Sequence, residues 1–273
     1  MSGIDWDTPE IAGHYDQNCD HQFEKGRILI GMMGIDKGDT VLDVGCGTGR
    51  MAVHVAGIIG PYGRIMGIDP SSHRIALAQA KFSQLPKGNS GFLVGQAENM
   101  SAVATGSVGF AYFCSSFHWI DDKKSALTEV LRVLKPGGTV GMTTRDKGSP
   151  DTMRDINDTI LSRHNLPRGT AHTGGMKRVT AQELSGLLTD AGFTGVSVEP
   201  RVITRHYGSP DEIIRHYDKR GRLRGITDNL PDDMKETIRT EIAEELKRRQ
   251  HSGLTGSGNV TLYARALKPC ART

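Results

Sequence analysis

The run Val41-Leu42-Asp43-Val44-Gly45-Cys46-Gly47-Thr48-Gly49-Arg50 sets one carboxylate directly ahead of three glycines at alternate positions. Glycine at 45, 47 and 49 lets the backbone take positive φ and lets a ligand approach where a Cβ would block it. A helix opening at Thr48 would turn its unpaired N–H groups toward the same spot, which favours an anionic group there. Further on, the apolar stretch Arg64-Ile65-Met66-Gly67-Ile68-Asp69-Pro70 ends in a second acid, at a place where nucleotide-type folds bind ribose hydroxyls. A third group, His118 in Cys114-Ser115-Ser116-Phe117-His118-Trp119, is the best candidate to face a reacting centre, orienting a substrate or taking its proton. Bonding of the same ring to a ligand or a neighbouring carbonyl is the alternative of equal weight.

Two details narrow the ligand. A dinucleotide fingerprint needs G-x-G-x-x-G, whose third glycine allows close helix–strand packing. Here the spacing is G-x-G-x-G and Arg50 holds the sixth place. Asp43 would repel a pyrophosphate but would pair with a cationic amine. S-adenosylmethionine (SAM) carries such an amine, a carboxylate for the helix end and a sulfonium. Asp69 does not discriminate, since SAM and NAD both contain a ribose.

The glycine motif, Asp69, Gly95-Gln96-Ala97-Glu98-Asn99-Met100, the segment 114–119 and Glu129-Val130-Leu131-Arg132-Val133-Leu134-Lys135-Pro136-Gly137-Gly138 together resemble the class I SAM-dependent methyltransferases. The last of these is similar to the helix-to-strand turn of the methyltransferase type 11 branch, which includes ubiquinone/menaquinone and trans-aconitate methyltransferases. The resemblance covers nearly the whole chain and implies SAM as cofactor and S-adenosylhomocysteine (SAH) as product. It implies that Asp43 serves the methionine end, that Gly45, Cys46 and Gly47 give backbone contacts, that Asp69 binds the ribose and that Pro70 packs near the adenine. Many relatives hold the adenine amino group with an Asp where this chain has Gln96, whose amide oxygen can also accept. Ala97, Glu98 and Cys114 complete the implied cofactor set, although packing as a small thiol is the plainer role for Cys46 and Cys114. Tyr15, within His14-Tyr15-Asp16, matches the tyrosine of a helix that folds over the cofactor; simple amphipathic packing is its alternative. No Asn-Pro-Pro-aromatic sequence stands at 114–119, which lowers planar amino groups as acceptors.

Hydrophobic periodicity places these residues on alternating elements. The pattern reads as a helical segment at 8–34, strand 40–44, helix 48–59, strand 64–68, helix 71–85, strands 91–95 and 108–114, helix 122–134 and strand 138–144. Helices 151–164 and 180–191, strand 193–199, a polar helical insert at 209–250 and a strand at 260–267 follow. The expected fold is α/β: a Rossmann-like, seven-stranded, mostly parallel sheet with helices on both faces and a helical lid insert. In domain terms, a helical cap (1–38) precedes a SAM-binding core (39–200), a lid insert within the same domain (201–258), and a last strand with its tail (259–273). Asp43, Asp69, Gln96 and Cys114 fall at the carboxyl ends of strands, where ligands of such sheets bind.

Composition fits an enzyme of this kind. With 273 residues, 37% hydrophobic and 24% charged, the chain can bury a full core. A net charge of +3 is too small to imply DNA binding. There is no apolar run long enough to span a bilayer, and the opening residues are polar and acidic, so a cytoplasmic protein is expected. The four cysteines lack C-x-x-C spacing, so neither a metal site nor a disulfide framework is expected. The insert is locally basic, with Arg215 and Arg224 among its cations, and Arg145 follows a strand on the same rim. Arginine pairs bidentately with carboxylates, so the expected acceptor is a small anion held by Trp119, Arg145, Arg215 and Arg224. In-line displacement from a sulfonium needs little more than alignment and exclusion of water. Two alternatives stay open: action on a protein or RNA through the basic surface, and a nicotinamide-dependent oxidoreductase.

Overall fold

The structure is a computed structural model that describes residues 7–83, 89–149, 152–166, 176–206, 209, 212, 214, 230–251 and 256–270. Its strands are β1 (Thr40–Val44), β2 (Arg64–Asp69), β3 (Asn89–Val94), β4 (Val108–Cys114), β5 (Leu134–Arg145), β6 (Thr194–His206) and β7 (Gly256–Leu267). They form one seven-stranded sheet in the order β3-β2-β1-β4-β5-β7-β6. Neighbours from β3 to β5 are parallel, and β7 lies antiparallel to β5. The expected mostly parallel sheet is therefore present, and its order reverses between β1 and β4. That reversal opens a crevice at the carboxyl ends of the strands.

The helices are α1 (Pro9–Asn18), α2 (Asp20–Met33), α3 (Arg50–Ile59), α4 (Ser72–Ser83), α5 (Lys123–Val133), α6 (Thr152–Arg163), α7 (Ala181–Asp190) and α8 (Asp232–His251). The segment expected as one helix at 8–34 is two. Thr8 caps α1 through a bond from the Ile11 N–H, Pro9 fits the first turn, and the chain breaks at Cys19 before α2. Gly34, in the left-handed region at φ 73°, ends α2. The sixth strand runs past the expected residue 199 through Pro200, because β6 is the sheet edge, where a missing N–H need break no ladder.

Two compact units emerge: Met1–Lys147 with Lys177–Arg201 and Thr261–Thr273, and Gly148–Met176 with Val202–Val260. In the first, α2 and α3 bury Leu29, Ile30, Met33, Val55 and Ile59 with Val41, Tyr112 and Tyr263 of the sheet. In the second, Ile156, Ile160 and Leu161 of α6 pack on Ile238, Ile242 and Leu246 of α8 at helical spacing. His164 meets Glu241 there at 2.7 Å. Arg215 and Arg224, expected to hold a substrate, lie outside the described residues.

Close approach fixes the glycine turn. A Cβ on Gly49 would lie 2.9 Å from the Cβ of Ala78 and 3.1 Å from its Cα, and Gly49 sits at φ 78°. Gly49→Ala would strain the backbone and overpack α4 together, so urea unfolding is expected to show a loss of about 2–4 kcal/mol. A loss under about 0.5 kcal/mol would mean that α4 can retreat freely.

Candidate active site

Strand β2 organises the glycine turn. The Gly45 and Cys46 N–H groups both donate to the Ile68 carbonyl, at 2.7 and 3.1 Å. Gly47 N–H donates to Asp69 Oδ2 at 2.9 Å, and Ser71 N–H donates to Oδ1 at 3.0 Å. The amides of Gly45, Cys46 and Gly47 are thus spent on β2, so the backbone groups this turn has left for a ligand are its carbonyl oxygens. The helix also starts later than expected, at Arg50. A Cβ on Gly45 would come 2.4 Å from the Ser116 Cβ, and one on Gly47 3.8 Å from Tyr15 Cε1.

Asp69 is only 5% exposed, and burial raises its pKa despite the two amides and Arg74. Each of its oxygens keeps a lone pair beyond the amide it already accepts. That is the capacity a ribose diol would use. Asp7 reaches the same place by accepting a hydrogen bond from Ser71 Oγ.

Asp43, at the end of β1, is 1% exposed. Tyr112 OH donates to its Oδ2 at 2.7 Å, while Oδ1 is buried without a partner among the described residues. Burial pushes this carboxyl up to about 8; the Tyr112 bond opposes the shift and the charge of Asp69 adds to it. A cation beside Oδ1 would restore the ionised form. An orphaned buried oxygen that gains from a cation suits the amine of a SAM-like ligand.

Helix α1 is pinned onto the turn. Thr48 Oγ1 donates to Asp16 Oδ1 at 2.5 Å, and Lys81 Nζ bridges Asp16 Oδ1 (2.7 Å) and the Thr48 carbonyl (2.8 Å). Arg50 donates to the Asp16 carbonyl at 3.0 Å and to Asp20 at 2.7 Å. Tyr15 is thereby held over Gly47, with the Arg74 guanidinium 4.7 Å from its ring centre. Asp16, Lys81 and Arg50 carry this clamp, and nothing in the motif marks Asp16 or Lys81 for it.

On the β3 side, Gln96 is exposed and its carbonyl accepts from Asn99 N–H at 3.1 Å, while Gly95 N–H donates to the Asp69 carbonyl. Ala97 and Glu98 are half-buried and Pro70 is exposed. Glu129 and Arg132 of α5 hold the following turn through Met100 and Val103. The Gly95 bond joins this segment to the end of β2. Cys114 packs, the plainer of its two readings: its thiol donates to the Gln22 carbonyl at 3.5 Å and lies where a Cβ on Gly26 would come within 2.6 Å. It fastens α2 to the sheet, and burial pushes it up to about 12.

Ser115, just past β4, takes φ 57°, an uncommon conformation for a residue with a Cβ. Its N–H is held by the Thr143 carbonyl (3.1 Å) and Oγ1 (3.0 Å), and Ser116 Oγ donates to the Val44 carbonyl at 2.6 Å. The kink turns the chain into a 3-10 turn, Phe117–Trp119. His118 is 8% exposed, with Nδ1 3.4 Å from Thr144 Oγ1. Burial, then the charges of Arg178, Lys123, Lys25 and Arg145, hold its pKa down at about 3, so the ring is neutral. Trp119 is 48% exposed beside it.

The raised pKa of Asp43 makes a stability statement. The folded state holds that proton more tightly than the unfolded state, so the favourable contribution is complete below the ordinary value of 3.8 and is lost as pH rises through about 8. Asp43→Asn keeps an acceptor for Tyr112 and has no such proton. The urea midpoint of the wild type should therefore fall relative to that variant across this window, and a constant difference would contradict the assignment.

The family described as a methyltransferase domain matches residues 41–138. An O-methyltransferase of Aspergillus nomiae is 37% identical over 118 residues, which cover 42% of this chain and 51% of that protein. A ubiquinone/menaquinone biosynthesis C-methyltransferase of Klebsiella pneumoniae is 28% identical over 211 residues, covering 68% of this chain and 80% of that one. The chain spans about half the length of several curated relatives it matches. Among solved structures, phosphoethanolamine N-methyltransferase 2 of Haemonchus contortus, in complex with S-adenosyl-L-methionine, is similar in fold with a TM-score of 0.62. It is 15% identical, and the match covers 97% of this chain and 58% of that one. With its sheet order, glycine turn and paired strand-end acids, the chain carries a methyltransferase domain over residues 41–138 and is similar to the class I SAM-dependent methyltransferases of the type 11-like branch.

Proposed function

We propose that this protein binds SAM in the crevice around Asp43 and Asp69 and transfers the sulfonium methyl to a small anionic acceptor in the cytoplasm. The cofactor supplies an activated methyl group, and the protein has to align the acceptor and exclude water. Asp43 neutralises the amine, Asp69 holds the ribose hydroxyls, and Tyr15, clamped over Gly47, covers the methionine end. Gln96, Ala97, Glu98 and Pro70 border the adenine.

The observation that carries the anionic acceptor is the setting of His118: a neutral imidazole sunk at the rim within the fields of Arg178, Lys123, Lys25 and Arg145. Those charges disfavour a cation and favour an anion. They also make His118 a poor proton sink in the free enzyme, so its role is to orient the acceptor through a hydrogen bond. Trp119 and Arg145 flank it, and Arg215 and Arg224 belong to the same proposal as acceptor contacts. No helix among the described residues is long and apolar enough to cross a membrane. All four cysteines are free thiols, as suits a reducing compartment.

Methyl-labelled SAM incubated with the protein and a cell extract, split into small-molecule and macromolecular fractions, should label the small molecules. Label confined to protein or RNA would overturn the acceptor class. Asp69→Ala should weaken SAH binding by about tenfold or more, measured by calorimetry. His118→Ala should lower turnover more than SAH affinity; the reverse would make His118 a cofactor contact.

A further inference from the structure

Strands β5 and β7 bring a second polar group to the same end of the sheet. Their antiparallel register sets Thr143 opposite Tyr263 and Arg145 opposite Thr261. Paired residues of a ladder share a face, as do alternate residues of one strand, so all four project to one side. Tyr263 has no exposure and Thr261 is 2% exposed, yet neither Tyr263 OH nor Thr261 Oγ1 has a hydrogen-bond partner among the described residues. A buried hydroxyl left unpaired is costly, and native proteins seldom keep two together without a use. The Arg201 guanidinium lies 5.1 Å from the centre of the Tyr263 ring while pairing with Glu199 through one nitrogen. Thr143 already holds the strained Ser115, two residues before the turn that carries His118. The pair of hydroxyls thus approaches the exit of β4 from the face of Thr143, opposite to the face on which Thr144 meets His118.

We infer that Tyr263 and Thr261 are the anchor for the acceptor's oxyanion, donating two neutral hydrogen bonds beside the cations Arg145 and Arg201. This deepens the methyltransferase reading and rests on it. Two hydroxyl donors flanked by guanidinium groups match a carboxylate or a comparable oxyanion, whose lone pairs outnumber what one arginine can fill. They do not suit a cationic or purely apolar acceptor, which would leave both hydroxyls unpaired. Discrimination follows from the same cost, since an analogue without the oxyanion cannot repay it.

Tyr263→Phe and Thr261→Val remove the hydroxyls with little change of shape. In the absence of any ligand each variant should melt a few degrees higher than wild type, because an unpaired buried polar atom is gone. With SAH saturating, citrate as the probe should raise the wild-type melting temperature, and its affinity by calorimetry should fall about tenfold or more in each variant. Citrate that leaves the wild-type melting temperature unmoved, or binds wild type and variants alike, overturns the anchor. A wild type that fails to bind SAH in the first titration defeats the methyltransferase reading instead, so the two failures are told apart.

Discussion

The site depends on how one turn satisfies its backbone. Leaving β1, the chain must reverse within a few residues, and three successive amides need partners away from water. They find them on β2: two on the Ile68 carbonyl and one on the Asp69 carboxylate. Asp69 is therefore first of all a structural acceptor of the turn. The positive φ of Gly45, Gly47 and Gly49 serves this arrangement, and the closeness of Ser116 and Ala78 leaves no room for side chains at 45 and 49. Cofactor crevice and fold are held by the same hydrogen bonds.

A second layer of fastening sets the N-terminal helices on the turn. Asp16 accepts from Thr48 and Lys81 at once, and Arg50 reaches back across the break between α1 and α2. These side chains are only partly buried, so each bond alone contributes modestly. Their value lies in geometry, because three of them converge on the main chain and carboxylate of Asp16 and fix Tyr15 over Gly47. Helix α2 is held differently, by bare contact: a Cβ at Gly26 would come 2.3 Å from Met51 Cε, and one at Gly141 2.5 Å from Met33 Sδ.

The sheet and the two acids were legible because they follow local rules. Strand 108–114 appears with the bounds expected from its apolar run, and 40–44 likewise. Asp43 and Asp69 end strands that alternate with helices, so topology alone brings them to one crevice. What stayed hidden rests on partners remote in the chain. The spending of the turn's amides on Ile68 depends on strand register, and the clamp on Asp16 joins residues 32 and 65 positions apart. Cys114 sits in a motif, yet its thiol answers to α2, because Gly26 lets that helix come so close. The depressed basicity of His118 required cations from four separate segments, which no spacing rule collects.

The two thiols nearest the crevice carry a further consequence. Cys46 lies inside the glycine turn and Cys114 at the end of β4; burial holds both well above the ordinary thiol range, with the charge of Asp43 adding to it. Only the thiolate is a good nucleophile. A sulfonium is an alkylating agent, and the proposed function would bring one into this crevice, with methylation of the protein's own sulfur atoms as the hazard. Keeping those sulfurs dry and beside a carboxylate leaves them protonated, so the low dielectric that packs the core also makes the crevice chemically inert toward its own cargo.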